Sequence, residues 1–197
     1  VVAQGSCLSV PDTFSLQVNA KPPTPILASS GAACSGDEII LYTTSGCDSC
    51  VFVAPDGSLF PSGNDSLVLT AGTPDCQPGV WTMYCVDTAT GCVGDISNGT
   101  SVVVYGNPIA LAQNSGPVCF GDPVTLHASG SISGTCNPCN NAAYQWYSGD
   151  SSTLISLDQD VVIGGLPIGD TTFVLIVSVN GCADTTTTLV TVDTIPG

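Results

Sequence analysis

The side chains with most chemistry to offer are eleven cysteines, among them two Cys-x-x-C pairs, Cys47/Cys50 and Cys136/Cys139. Thiols at that spacing can close on each other as a staple, hold zinc, or cycle as a redox pair. Redox work needs a helix N-terminus in a βαβ setting to lower a thiol pKa, and no helical period is visible. Zinc needs a tetrahedral set, so both pairs, or one pair and histidines, would have to converge. The single histidine is His127. The staple is the plainer reading.

Other reactive groups are sparse. His127 follows Leu126 with no serine or cysteine positioned beside it, and reads as a surface residue. No Gly-x-Ser-x-Gly, His-Glu-x-x-His or Gly-rich phosphate loop is present. Asp158 and Asp160 alternate, and Asp56, Asp65 and Asp75 fall in turn-like stretches. Calcium is the one cofactor they could hold, but none shows the Asp-x-Asp-x-Asp-Gly spacing that gathers the oxygens. Turn formation accounts for most of them. No catalytic, cofactor-binding or metal residue is assigned, and the expectation is a protein that is not an enzyme.

The totals exclude several partners. One lysine, no arginine and 16 acidic residues give a formal charge of −15, so nothing can displace counterions from nucleic acid or settle on anionic lipid. Only 9% of residues are charged and 43% are hydrophobic, which separates this chain from disordered acidic tails. The longest apolar run, residues 173–177, is far short of the ~20 needed to span a bilayer as a helix. Disulfides persist where glutathione and thioredoxin do not reach, so the expected location is extracellular, secreted or on a cell surface.

The elements that must position these cysteines are strands. Residues 172–177 and 185–192 are β-branched runs on either side of Asn180-Gly181, a pair that tolerates the positive φ of a type I′ hairpin turn. Cys182 follows the turn. A second copy runs through residues 80–86, Gly91-Cys92 and residues 100–105, and a looser one through Gly5-Ser6-Cys7 and residues 13–18. Upstream of each complete hairpin the order also repeats. Cys34-Ser35-Gly36-Asp37 matches Cys119-Phe120-Gly121-Asp122, and the two Cys-x-x-C pairs match each other. Prolines at 22, 23 and 25, and Gly106-Asn107-Pro108, mark the junctions. The period of roughly 85–90 residues with about seven short strands predicts an immunoglobulin-like sandwich. The expected fold is all-β: terminal strands of a preceding repeat over 1–20, then disulfide-stapled sandwiches over 21–107 and 108–197.

Cys-x-Gly-Asp-x-Val-Thr-Leu from Cys119, the strand Tyr144-Gln145-Trp146, Thr171-Thr172-Phe173 and Asn180-Gly181-Cys182 together carry a family likeness. The chain resembles the Ig-like (PKD-like) repeats of giant secreted Bacteroidetes surface and adhesin proteins. Residues 108–197 carry the full pattern. Residues 21–107 depart from it, with no Trp in the third strand, Thr-Gly-Cys for Asn-Gly-Cys, and the added Cys76 and Cys85. The resemblance implies an extracellular structural or adhesive role, not a reaction.

Position within each unit suggests Cys34 with Cys92 and Cys119 with Cys182, tying opposite ends of each sandwich. Cys47 with Cys50 and Cys136 with Cys139 would close inside loops, leaving Cys76 for Cys85. Cys7 then stands unpaired or paired outside this chain, which fits a piece of a longer array or an intermolecular bridge. Trp81, Trp146, Phe52 and Phe173 are the expected core aromatics. Tyr144 or Tyr147 could offer a sugar-binding platform. The leading expectation is a non-enzymatic structural segment of a bacterial surface filament, appendage or stalk, whose partners are copies of itself or neighbouring repeats. One alternative is an adhesion module binding glycan or protein, and another is an accessory region of a secreted hydrolase.

Overall fold

The structure, a computed structural model, describes residues 12–74, 76–131 and 142–194, with the backbone of β1 (Ala3–Gln4) and β2 (Cys7–Leu8). Every regular element among the described residues is a strand. The first pair is a short antiparallel ladder. Residues 12–20 are exposed and join no described strand, so Phe14, Leu16 and Val18 face solvent.

The first sandwich is built from β3 (Leu27–Ser29), β4 (Ala33–Cys34), β5 (Glu38–Thr43), β6 (Ser49–Val53), β7 (Leu59–Ser62), β8 (Ser66–Thr70), β9 (Gly79–Val86), β10 (Thr100–Val102) and β11 (Val104–Tyr105). One sheet has the order β3-β5-β8, the facing one β10-β9-β6-β7, and β4 and β11 pair in parallel. Period-2 alternation decides which side chains meet. In β5, Ile39, Leu41 and Thr43 turn inward while Glu38, Ile40 and Tyr42 face out. Cys50 and Phe52 of β6, and Trp81, Met83 and Cys85 of β9, do the same from the other sheet. The indole of Trp81 packs against Phe60 at a ring distance of 5.4 Å and donates its Nε1–H to the carbonyl of Gln77 at 2.8 Å.

The second sandwich follows with β12 (Gln113–Asn114), β13 (Val118–Cys119), β14 (Val124–His127), β15 (Ala143–Ser148), β16 (Leu154–Ser156), β17 (Asp160–Ile163), β18 (Gly169–Val179) and β19 (Cys182–Asp193). Its sheets run β12-β14-β17 and β13-β19-β18-β15-β16. The β18–β19 hairpin dominates, paired without a break from Gly169↔Val192 to Val179↔Cys182. Asn180 and Gly181 close it at φ 53° and 87°, both left-handed, as a two-residue I′ turn requires. Trp146, Phe173, Leu175, Val177 and Val190 form a core cluster distinct from the one around Trp81, Phe52 and Met83.

The cysteine pairing differs from the positional expectation. Cys34 bonds Cys182, with Cα atoms 5.6 Å apart, and neither the Cys34–Cys92 nor the Cys119–Cys182 pairing forms. A disulfide spans only ~4–7 Å between Cα atoms. β4 lies beside β11, where the chain leaves the first sandwich, whereas Cys92 follows the hairpin near where the chain enters it. A bond between those ends would have to cross the length of the sandwich. The hairpin of the next sandwich is nearer.

The first Cys-x-x-C does not close on itself either. Cys47 bonds Cys85, not Cys50, and Cys50 and Cys76 remain separate buried thiols. The strand phase explains this. β6 begins at Ser49, so Cys50 is a ladder residue opposite Cys85 and turns into the core. Cys47 stays in the preceding loop at the rim. The side chain of Cys7 and the pair Cys136/Cys139 lie outside the described residues, as does Asp75.

Candidate functional site

The joint between the two sandwiches is assembled from three pieces of chain that sequence order keeps far apart. The first is the turn after β4. Ser35 N–H donates to the Tyr105 carbonyl at 2.8 Å, Asp37 N–H to the Cys34 carbonyl at 3.0 Å, and Gly36 sits at φ 100°, which a Cβ would oppose. The second is the linker, where the Asn107 side chain donates to the Ser35 carbonyl at 2.9 Å. The third is the tip of the β18–β19 hairpin, brought alongside by the segment that enters its own sandwich. Ala110 N–H donates to the Asp184 carboxylate at 2.8 Å, two residues past Cys182. The Cys34–Cys182 bond closes this arrangement. It links residues 148 apart in sequence and ties one sandwich to the next rather than one end of a sandwich to the other.

A second cysteine group lies within the first sandwich. The Cys50 thiol donates to Asp65 Oδ1 at 3.7 Å, and the same oxygen accepts from Cys47 N–H at 3.3 Å. The sulfurs of Cys47 and Cys50 and a carboxylate oxygen of Asp65 lie within 4.8 Å of one another. Two thiolates and a carboxylate could ligate a soft divalent metal, but Cys47 is held by Cys85 and offers no thiolate. Burial, with the Asp65 charge and hydrogen bond adding to it, pushes the Cys50 thiol up to about 11. Burial also pushes the Cys76 thiol up. Both are poor nucleophiles at neutral pH. In the folded monomer, a maleimide at pH 7 is therefore expected to label the exposed Cys119 and the half-buried Cys92 and to spare Cys50 and Cys76 until the chain unfolds. Mass mapping of labelled peptides reads this out, and Cys50 labelling as fast as Cys119 would contradict the burial.

Of the described acidic residues singled out for calcium, Asp56 and Asp158 serve their own turns, while Asp65 and Asp160 tie distant segments. Asp56 accepts from Ser58 N–H and the Gln77 side chain, at 2.8 and 2.6 Å. Asp158 takes a bond from Ser156, and Asp160 accepts from Ala128 N–H at 3.1 Å with its other oxygen 3.4 Å from His127 Nδ1. Tyr144 and Tyr147 are half-buried, and the Tyr144 hydroxyl accepts from Gln159. Asp150, not singled out from sequence, organises the β15–β16 turn. The Ser148 and Ser152 hydroxyls and Ser152 N–H all donate to it, and these bonds hold its carboxyl down at about 2. Against an unfolded value near 3.9, the contribution of Asp150 is complete above pH ~4 and is lost as pH falls through 2. Asp150→Asn is expected to flatten that part of the acid dependence of the melting temperature. An unchanged slope between those limits would show that the turn contributes nothing.

These two facing sheets, twice over, with disulfide staples, define an all-β tandem of immunoglobulin-like sandwiches. No family model matches the sequence, and no curated protein matches it. Several solved structures do match. The three N-terminal domains of the bacteriophage RB49 highly immunogenic outer capsid protein align over 86% of this chain and 59% of theirs, at 16% identity and a TM-score of 0.40. A titin I-band fragment aligns over 87% of this chain and 64% of its own, at 13% identity and a TM-score of 0.45. The fibronectin(III)-like modules of Clostridium thermocellum CbhA align over 86% and 95%, at 13% identity and a TM-score of 0.44. At these identities and TM-scores the likeness carries no argument about activity or partners.

Proposed function

We infer that this chain is a non-enzymatic, load-bearing repeat segment of an extracellular bacterial filament, appendage or stalk, divided into sandwiches at about residues 107 and 108. The observation that carries the reading is the Cys34–Cys182 bond. A staple between consecutive sandwiches adds little to recognition, but it stops a tandem from hinging at its weakest point. An inter-domain linker without such a bond leaves relative motion as the default. The disulfides also favour an oxidising compartment, and the resemblance to secreted Bacteroidetes repeats points the same way. The scarcity of lysine and arginine suits such a location, since trypsin-like proteases are left only Lys21, which precedes Pro22 and pairs with Asp95.

Negative-stain microscopy of native secreted material, with and without reductant, tests this reading. Straight rods or fibres that become bent or loosened on reduction support it. Specific retention on a glycan array, with no change of shape on reduction, would favour an adhesion module instead.

A further inference from the structure

Among the described residues two thiols remain at the surface, and each is the repeat equivalent of one half of the bond at the joint. Cys119 reproduces the setting of Cys34 in detail. Each ends a two-residue strand paired in parallel with the last strand of its sandwich, Cys34 opposite Tyr105 and Cys119 opposite Asp193. Phe120 N–H donates to the Asp193 carbonyl at 2.9 Å, as Ser35 does to Tyr105, and Asp122 N–H donates to the Cys119 carbonyl at 3.0 Å, as Asp37 does to Cys34. Gly121 sits at φ 95° beside 100° for Gly36.

Cys92 reproduces the setting of Cys182. It follows Gly91 at φ 72°, and its carbonyl accepts from Asp87 N–H at 3.0 Å across a hairpin end four residues long where the second sandwich uses two. Just beyond it, Gly94 abuts Pro22 of the entering segment, and Asp95 holds Lys21 of that segment, as Asp184 holds Ala110. Cys92 thus marks the entry end of the first sandwich and Cys119 the exit end of the second. Cys119 is exposed, Cys92 half-buried, and both are free.

We propose that Cys119 of one copy and Cys92 of a second copy form a disulfide that joins copies of this chain head to tail, repeating the Cys34–Cys182 joint between molecules. The two thiols are oxidised to one S–S bond. Their two protons and two electrons pass to a disulfide oxidant such as oxidised glutathione, whose own S–S bond breaks to give two thiols. The union is heterologous, so it leaves one free Cys92 and one free Cys119 at the ends and propagates as an open chain. This inference rests on the structural-repeat reading and supplies its polymerising contact.

The purified 197-residue chain, incubated with oxidised glutathione, is expected to form a ladder of multimers on non-reducing gels. Pepsin digestion in acid, which suppresses exchange, should release a Cys92–Cys119 peptide pair from the multimers. Cys92→Ser and Cys119→Ser should each lose the ladder, while the two variants mixed should regain a dimer and stop there. Persistence of Cys34–Cys182 in every sample shows that folding is intact. A ladder surviving in Cys119→Ser, a bridge from Cys119 to Cys7, a bridge between like cysteines, or an intramolecular Cys92–Cys119 pair would each overturn the proposal. Monomers with both thiols still titratable after oxidation would overturn it too, while leaving the stapled tandem in place. The broader reading fails separately, if reduction leaves the shape of the native material unchanged.

Discussion

Serine at Cys34 is expected to lower the melting temperature of both sandwiches, although Cys34 belongs to only the first. While one sandwich stays folded, the Cys34–Cys182 bond and the linker at Asn107 hold the other at two points. Unfolding either one then means opening a loop of about 75 residues with both ends fixed. The chain-entropy relation gives about 4 kcal/mol for a loop of that length. For a domain of this size that corresponds to about 15–30 °C in melting temperature, taken as an upper value. Cys182→Ser should give the same loss, and the double variant no more than either single one, because one bond is removed in all three. Had the pairing stayed within each sandwich, Cys34→Ser would weaken the first alone. Tryptophan fluorescence distinguishes the cases, since Trp81 reports one core and Trp146 the other. A Trp146 transition unmoved by Cys34→Ser would exclude the coupling.

The difference between those outcomes also explains what the sequence can and cannot disclose. The hairpin at Asn180-Gly181, the inward faces of β5 and β9, and the burial of both tryptophans follow from local pattern, because turn chemistry and a period of two act over a few residues. Disulfide partners do not follow from such patterns. In a tandem array the hairpin cysteine of one unit and that of the next are equivalent in sequence, so Cys34 has two candidates, Cys92 and Cys182, that local pattern cannot separate. Only the placement of β4 beside β11, at the exit of its sandwich, selects the second. Cys50 shows the same limit on a smaller scale. The Cys-x-x-C spacing suggests a loop staple, but a strand that already includes Ser49 and Cys50 turns Cys50 into the core and leaves Cys47 to Cys85. Asp150 gave no signal in the sequence. Its low pKa depends on two serine hydroxyls converging on one carboxylate.

Trp81→Ala is expected to be the most damaging single substitution in the first sandwich. The indole is wholly buried between the β5 sheet and its own, packs on Phe60, and has its Nε1–H paired with Gln77. Truncation removes that contact area and leaves a cavity lined by strands that cannot collapse without breaking their ladders, a change worth about 3–5 kcal/mol. A domain of this size has roughly 5–15 kcal/mol in total, so the loss is a large share of it. The effect should reach the second sandwich only through the bond at the joint. The Trp146 core shares no buried residue with the first, and with Trp81 gone Trp146 is the one indole left to report on it. In Trp81→Ala, circular dichroism should therefore show an early transition for the first sandwich. The fluorescence of Trp146 should follow later, lowered only by the entropy that the bond at Cys34 no longer removes once the first sandwich has opened. Coincident transitions would mean that the two sandwiches unfold as one unit, with a joint stiffer than a single disulfide and an asparagine can make it.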